Sequence, residues 1–104
     1  MTRPRLLIVE HRAAHEIDDA AAWWHENRPA SPLLFEHEIG RAFSMLRELP
    51  GEPGVPVYGA GLRAGVRRLF LARVGYHVYY QADHEQNRVA VLSIWHARRE
   101  APVL

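Results

Sequence analysis

Val66 to Trp95 reads VRRLFLARVGYHVYYQADHEQNRVAVLSIW. It holds three β-rich runs, Val66–Ala72, Tyr76–Gln81 and Val89–Trp95. The first two are separated by Arg73-Val74-Gly75, the last two by the polar stretch Ala82–Asn87. Consecutive strands joined by short turns form an antiparallel meander. The period of two sorts the side chains. Arg67 shares a face with Leu69 and Leu71, and Arg68 shares one with Phe70. His77 and Tyr79 lie opposite Tyr76, Val78 and Tyr80.

Upstream, Leu6–Glu10 reads as a short strand ending in a polar cluster. From Ala13 to about Asn27, Ile17, Ala20, Ala21 and Trp24 recur at helical steps, with His11 ahead of the helix. Glu16, Asp18 and Asp19 fall early in it, where the dipole favours negative charge, and Asn27-Arg28-Pro29 ends it. A second helix is expected with Ser31 as N-cap and Pro32 at its first position. Phe35, Ile39, Ala42, Phe43, Leu46 and Leu49 line its apolar face, and Pro50-Gly51 stops it. The short connection makes the two helices an antiparallel hairpin. Gly51–Gly65 is a proline- and glycine-rich loop with room for an edge strand at Val55–Tyr58. The order β-α-α-β-β-β specifies a single α+β domain over residues 1–104. Its antiparallel sheet has three to four strands, an N-terminal helical hairpin packs on one face, and the other face stays partly open.

The chain has 104 residues, 48% of them apolar and 24% charged. That is one globule, since a second core would leave each half too small to fold unaided. No apolar run approaches the ~20 residues that cross a bilayer. MTRPRLLIVEHRAAHE lacks the long apolar centre and cleavage site of a secretory signal. Cysteine is absent, which removes disulfides and thiolate chemistry and fits a reducing cytoplasm. Net charge is +1, but it is unevenly spread. Up to Glu52, six arginines face nine carboxylates; beyond it, seven arginines face three. All 13 basic residues are arginine. A nearly neutral protein thus has an acidic helical half and a basic sheet half.

Seven histidines raise the question of a metal. His11 and His15 are four apart, but no third ligand has a defined spacing and HExxH is absent, so no metal site is expected. Gly59-Ala60-Gly61 lacks the strand–turn–helix context of a dinucleotide loop, and no cofactor is expected. Ser31, Ser44 and Ser93 have no nucleophile elbow. Trp23 falls beside the apolar stripe, a hint of an interface. The sheet half holds more chemistry. Arg67, Arg68, Arg73, His77, His96 and Arg98 combine phosphate-binding forks with groups able to move a proton. Metal-free RNA cleavage needs a base for the 2′-hydroxyl, an acid for the leaving oxygen and cations for the phosphorane. Strand arginines that only pair with the acidic helices are the plain alternative.

The joint order of LLIVEHRAAHEIDDAAAWW, FEHEIGRAFSMLRELPGEPG, GVRRLFL, GYHVYYQ and VAVLSIWHARR resembles the RelE/ParE superfamily, the small toxins of type II toxin–antitoxin pairs, often labelled plasmid-stabilisation proteins. The resemblance covers nearly the whole chain. It implies an antiparallel sheet with a helical hairpin on one face, in agreement with the independent reading. RelE-like toxins are ribosome-dependent mRNA endonucleases using basic residues on the open sheet face, often with a late tyrosine. Here lysine is absent and no tyrosine follows Tyr80, so that set is incomplete. The ending Trp95-His96-Ala97-Arg98 resembles the ParE-like branch better. That branch implies a growth inhibitor that binds DNA gyrase and is neutralised by a cognate antitoxin. The ribosome and mRNA are the alternative target, and a non-toxic antitoxin-binding relative is the third reading.

Overall fold

The computed structural model describes residues 3–48, 51–59, 63–99 and 104. The order is β1 (Leu6–Val9), α1 (His11–Asn27), α2 (Leu34–Glu48), β2 (Val55–Pro56), β3 (Val66–Leu71), β4 (Tyr76–Asp83) and β5 (Arg88–His96). The three meander strands and the helical hairpin are as expected. The sheet, however, has five strands in the order β1-β5-β4-β3-β2. β1 pairs in parallel with β5, Val9 opposite Val91, so the sheet is mixed. The reason is topological. The chain leaves the helical hairpin into β2 at the far edge of the sheet, and the antiparallel pairs β2–β3, β3–β4 and β4–β5 alternate direction until β5 comes to lie beside β1 running the same way.

Local details shift as well. His11 is the first residue of α1 rather than a residue before it. α2 begins at Leu34, because Ser31–Leu33 form a turn in which the Ser31 carbonyl accepts from Leu34 N–H at 3.2 Å. The same carbonyl accepts from the Trp24 indole N–H at 2.8 Å. Ser31 thus serves the hairpin through its backbone, not through a side-chain cap. Leu49, Pro50, Gly61 and Pro102 lie outside the described residues.

The main core lies between the helices and one sheet face. Ala20, Trp24, Phe35, Ile39 and Leu46 of the hairpin meet Val78, Tyr80, Val89, Val91 and Ile94. A second cluster of Val66, Tyr79 and Leu92 sits on the other face. Val57, Ala90, Trp95 and Leu104 pack against it. That face is therefore partly covered. Gln81 donates to the Ala64 carbonyl. Arg63 donates to both oxygens of Glu10 at 2.9 and 3.2 Å, from the β3 side of the sheet to the end of β1.

Three polar ties hold the layers in place. Arg5, only 9% exposed, donates to the Leu46 and Gly51 carbonyls at 3.4 and 3.0 Å, partners for the end of α2. Glu38 of α2 is buried beside Arg73 Nη1 at 3.1 Å, joining that helix to the β3–β4 turn. Glu16 of α1 accepts from Ser93 Oγ at 2.8 Å and from Ile94 N–H at 3.1 Å. Gly54 has φ +87° and a Cβ there would fall 2.1 Å from the Arg68 carbonyl oxygen, so only glycine lets the β2 segment lie against β3.

Two outcomes are expected in urea unfolding. Glu16→Ala leaves the Ile94 N–H and the Ser93 hydroxyl without their acceptor and costs about 1–3 kcal/mol. Gly54→Ala meets both backbone strain, about 1–3 kcal/mol, and overlap with β3, and costs more than the strain alone.

Candidate functional site

The six sequence-selected residues divide among three places. Arg67 lies opposite Tyr80 on the helix-facing side of the sheet. Its Nη2 donates to the Gly54 carbonyl at 2.8 Å, and Tyr80 donates its hydroxyl to the Pro53 carbonyl. Burial raises the Tyr80 phenol above its usual range, with the Arg67 guanidinium acting in the opposite direction. This pair fastens the β2 segment to β3 and β4.

Arg68 and His77 occupy the opposite face. Phe70, His77 and Trp95 stand in register across β3, β4 and β5. The Phe70 and His77 rings are 5.0 Å apart, and Tyr79 packs 6.0 Å from His77. His77 Nδ1 is buried without a hydrogen-bond partner. Burial lowers the imidazole below its ordinary range, and the charge of Arg68 adds to that.

Arg73, His96 and Arg98 lie at the sheet end where Leu71, Tyr76 and His96 align. Arg73 is engaged by Glu38 at 3.1 Å. His96 is on the helix-facing side, edge-on to Tyr76 with centroids 5.0 Å apart. Its Nδ1 accepts the Arg98 N–H at 3.1 Å, and its carbonyl accepts the Arg99 N–H at 3.1 Å. The imidazole thus ends β5 and turns the chain. Its neutral form carries the hydrogen on Nε2. Arg99 lies 4.0 Å over the Trp95 ring, and Arg12 approaches that ring at 5.7 Å.

His77 and His96 therefore stand on opposite faces of the sheet, and the six residues do not converge on one point. An acid–base pair around a single phosphate needs both groups within hydrogen-bond reach of it. What does gather is a basic, aromatic end of the sheet, with Arg98 and Arg99 beyond β5, Trp95 beneath Arg99, and Tyr76 alongside. Sequence reasoning missed the role of Glu16, read as a dipole partner early in the helix; with α1 starting at His11, no acidic residue lies in its first turn. The i,i+4 spacing to Arg12, realised as an Nε–Oε2 contact of 3.5 Å, was its available signal. Trp95 was visible as the last residue of a strand and the first of the Trp95-His96-Ala97-Arg98 ending, not as the ring under Arg99.

A titration follows from His77. Its folded-state pKa is lowered, so below about pH 6.5 the unfolded chain binds the proton more readily than the native one. This residue's contribution to stability is present above that range and falls as pH drops through it. His77→Gln is expected to flatten the stability profile between neutral and mildly acid pH, measured as the difference from wild type in urea midpoints. Parallel profiles would remove His77 as the cause.

Comparisons with known proteins bear on the whole domain. The family model for the ParE toxin of type II toxin–antitoxin systems (parDE) matches residues 7–101. A solved structure described as a chromosomal ParDE toxin–antitoxin system from P. aeruginosa superposes with a TM-score of 0.74. The match covers 93% of this chain and 100% of that one at 18% identity, a likeness of fold. Among curated protein sequences there is no significant match. With nearly the whole length matched, from β1 past the His96 turn, the chain belongs to the ParE toxin family of type II toxin–antitoxin systems.

Proposed function

We propose that this protein is the growth-inhibiting toxin of a toxin–antitoxin pair, acting in the cytoplasm by binding DNA gyrase. A cognate antitoxin neutralises it by folding onto its surface. The observation that carries the reading is the family match across residues 7–101, which takes in the Trp95-His96-Ala97-Arg98 ending. Geometry supports binding over cleavage, because His77 and His96 are separated by the sheet and Arg73 is committed to Glu38. Arg98, exposed beyond β5, and Arg99, held on Trp95, are the cations this end offers an acidic target.

Induction of the chain alone in bacteria is expected to arrest growth, and the purified protein to inhibit supercoiling by gyrase while cellular mRNA stays intact. Co-expression of a cognate antitoxin is expected to restore growth. Arg98→Ala, at an exposed position, is expected to weaken supercoiling inhibition without changing the unfolding midpoint. Unaffected growth would overturn the toxin reading. Fragmented mRNA with normal supercoiling would move the activity to the ribosome-dependent nuclease class.

A further inference from the structure

Beyond β5, three successive amides each have an acceptor. Ala97 N–H donates to the Gly75 carbonyl at 2.9 Å, and Arg99 N–H donates to the His96 carbonyl at 3.1 Å. Between them, Arg98 N–H donates to a side chain, the His96 Nδ1, at 3.1 Å. A side-chain acceptor that reaches the N–H two residues on is the geometry of an Asx turn, made here by an imidazole.

The ring is itself held in place. Tyr76 meets it edge-on with centroids 5.0 Å apart, and Phe35 of α2 meets Tyr76 edge-on at 5.1 Å. Phe35 is fully buried, so the three rings run from the core under the hairpin to the last residue of β5. Gly75 lies beside the imidazole, where a Cβ would come within 3.7 Å of Nε2. A ring fixed on these sides presents Nδ1 as a stationary acceptor. The two arginines then part. Arg99 is drawn back over the Trp95 ring at 4.0 Å, while Arg98 stays exposed. Without the bond to Nδ1, the backbone at Arg98 would sample several directions. Only a fraction of molecules would then present its guanidinium correctly, and apparent affinity falls by that fraction.

We infer that His96 is a positioning residue for target binding: its imidazole, braced by Tyr76 and Phe35, accepts the Arg98 N–H and so fixes the direction in which Arg98 meets the target. This role rests on the toxin reading of the Trp95–Arg98 ending. It gives the spacing of histidine and arginine a physical reason, because the amide two residues on is the one that such an acceptor reaches. It also sets His96 apart from a proton-transfer group.

Two variants separate the acceptor from the ring. His96→Asn keeps an acceptor for the Arg98 N–H and lacks the ring; it is expected to inhibit gyrase supercoiling within about threefold of wild type. His96→Phe keeps a ring against Tyr76 and lacks the acceptor; it is expected to be about tenfold weaker. A packing role or a proton-transfer role would leave His96→Asn no better than His96→Phe. Arg98→Ala combined with His96→Phe is expected to be no weaker than Arg98→Ala alone, since both remove one interaction. Retained amide spectra establish folding, and His96→Leu serves where His96→Phe does not fold. In the wild-type chain, ring-nitrogen NMR is expected to show the neutral imidazole with its hydrogen on Nε2. A hydrogen on Nδ1, full activity of His96→Phe, folded His96→Asn as weak as His96→Phe, or additive losses in the double variant would overturn the role. Wild type is scored first, for growth arrest and for supercoiling. If it does neither, the toxin reading falls and the positioning role with it. If it does both while the variants match it, only the role of His96 falls.

Discussion

The carboxylate of Glu16 takes the place of a neighbouring strand along the outer half of β5. β1 pairs with β5 only as far as Val91, and a strand edge buried beside a helix would leave polar backbone groups without partners. Glu16 accepts the Ile94 N–H and the Ser93 hydroxyl, and so lets α1 lie directly on that edge. The seating of α1 then places the hairpin, whose Trp24 and Phe35 complete the main core. Between Tyr79 and Tyr80 the β4–β5 register shifts. Both tyrosines are buried, one in each cluster, so the two faces of the sheet each carry apolar packing.

The distribution of charge follows from the same arrangement. The acidic half of the chain forms the helices, but several of its carboxylates are internal fasteners. Glu38 holds Arg73, Glu10 holds Arg63 and Glu16 holds the β5 edge. Arginine suits these roles because its fork bridges separate elements bidentately and keeps its charge, as the raised pKa of Arg63 beside Glu10 illustrates. Among the described residues, the arginines left for other molecules include those at the end of β5 and Arg68 on the face beside Phe70. A net charge near zero conceals this division between structural and available cations.

Element types were legible from local pattern. The period of two in Val66–Trp95, the helical stripe ending in Trp24 and the glycine turn at Gly75 each carry their own conformational signal. The side-chain alternation grouped Arg67 with Leu69 and Leu71 and set His77 and Tyr79 apart from Tyr76, Val78 and Tyr80, as the two faces show. The parallel pairing of β1 was not legible, because Leu6–Val9 looks the same beside any strand. Nor was the role of Arg5, whose partners at the end of α2 lie more than forty residues along the chain. The start of α2 was misplaced because Ser31-Pro32 fits a cap locally, whereas the Trp24 indole holds the Ser31 carbonyl in a turn.

By itself the sequence determined the fold class, the helical hairpin, the meander and the resemblance to a toxin superfamily, since all of these depend on residue types at short spacings. Only the tertiary structure decided which chemical groups meet. It separated His77 from His96 across the sheet and tied Arg67 and Arg73 to structural partners. The physical reason is that strand periodicity assigns a side chain to a face, while the partner across that face comes from a distant part of the chain. Sheet order and helix seating select that partner, and neither is a local property.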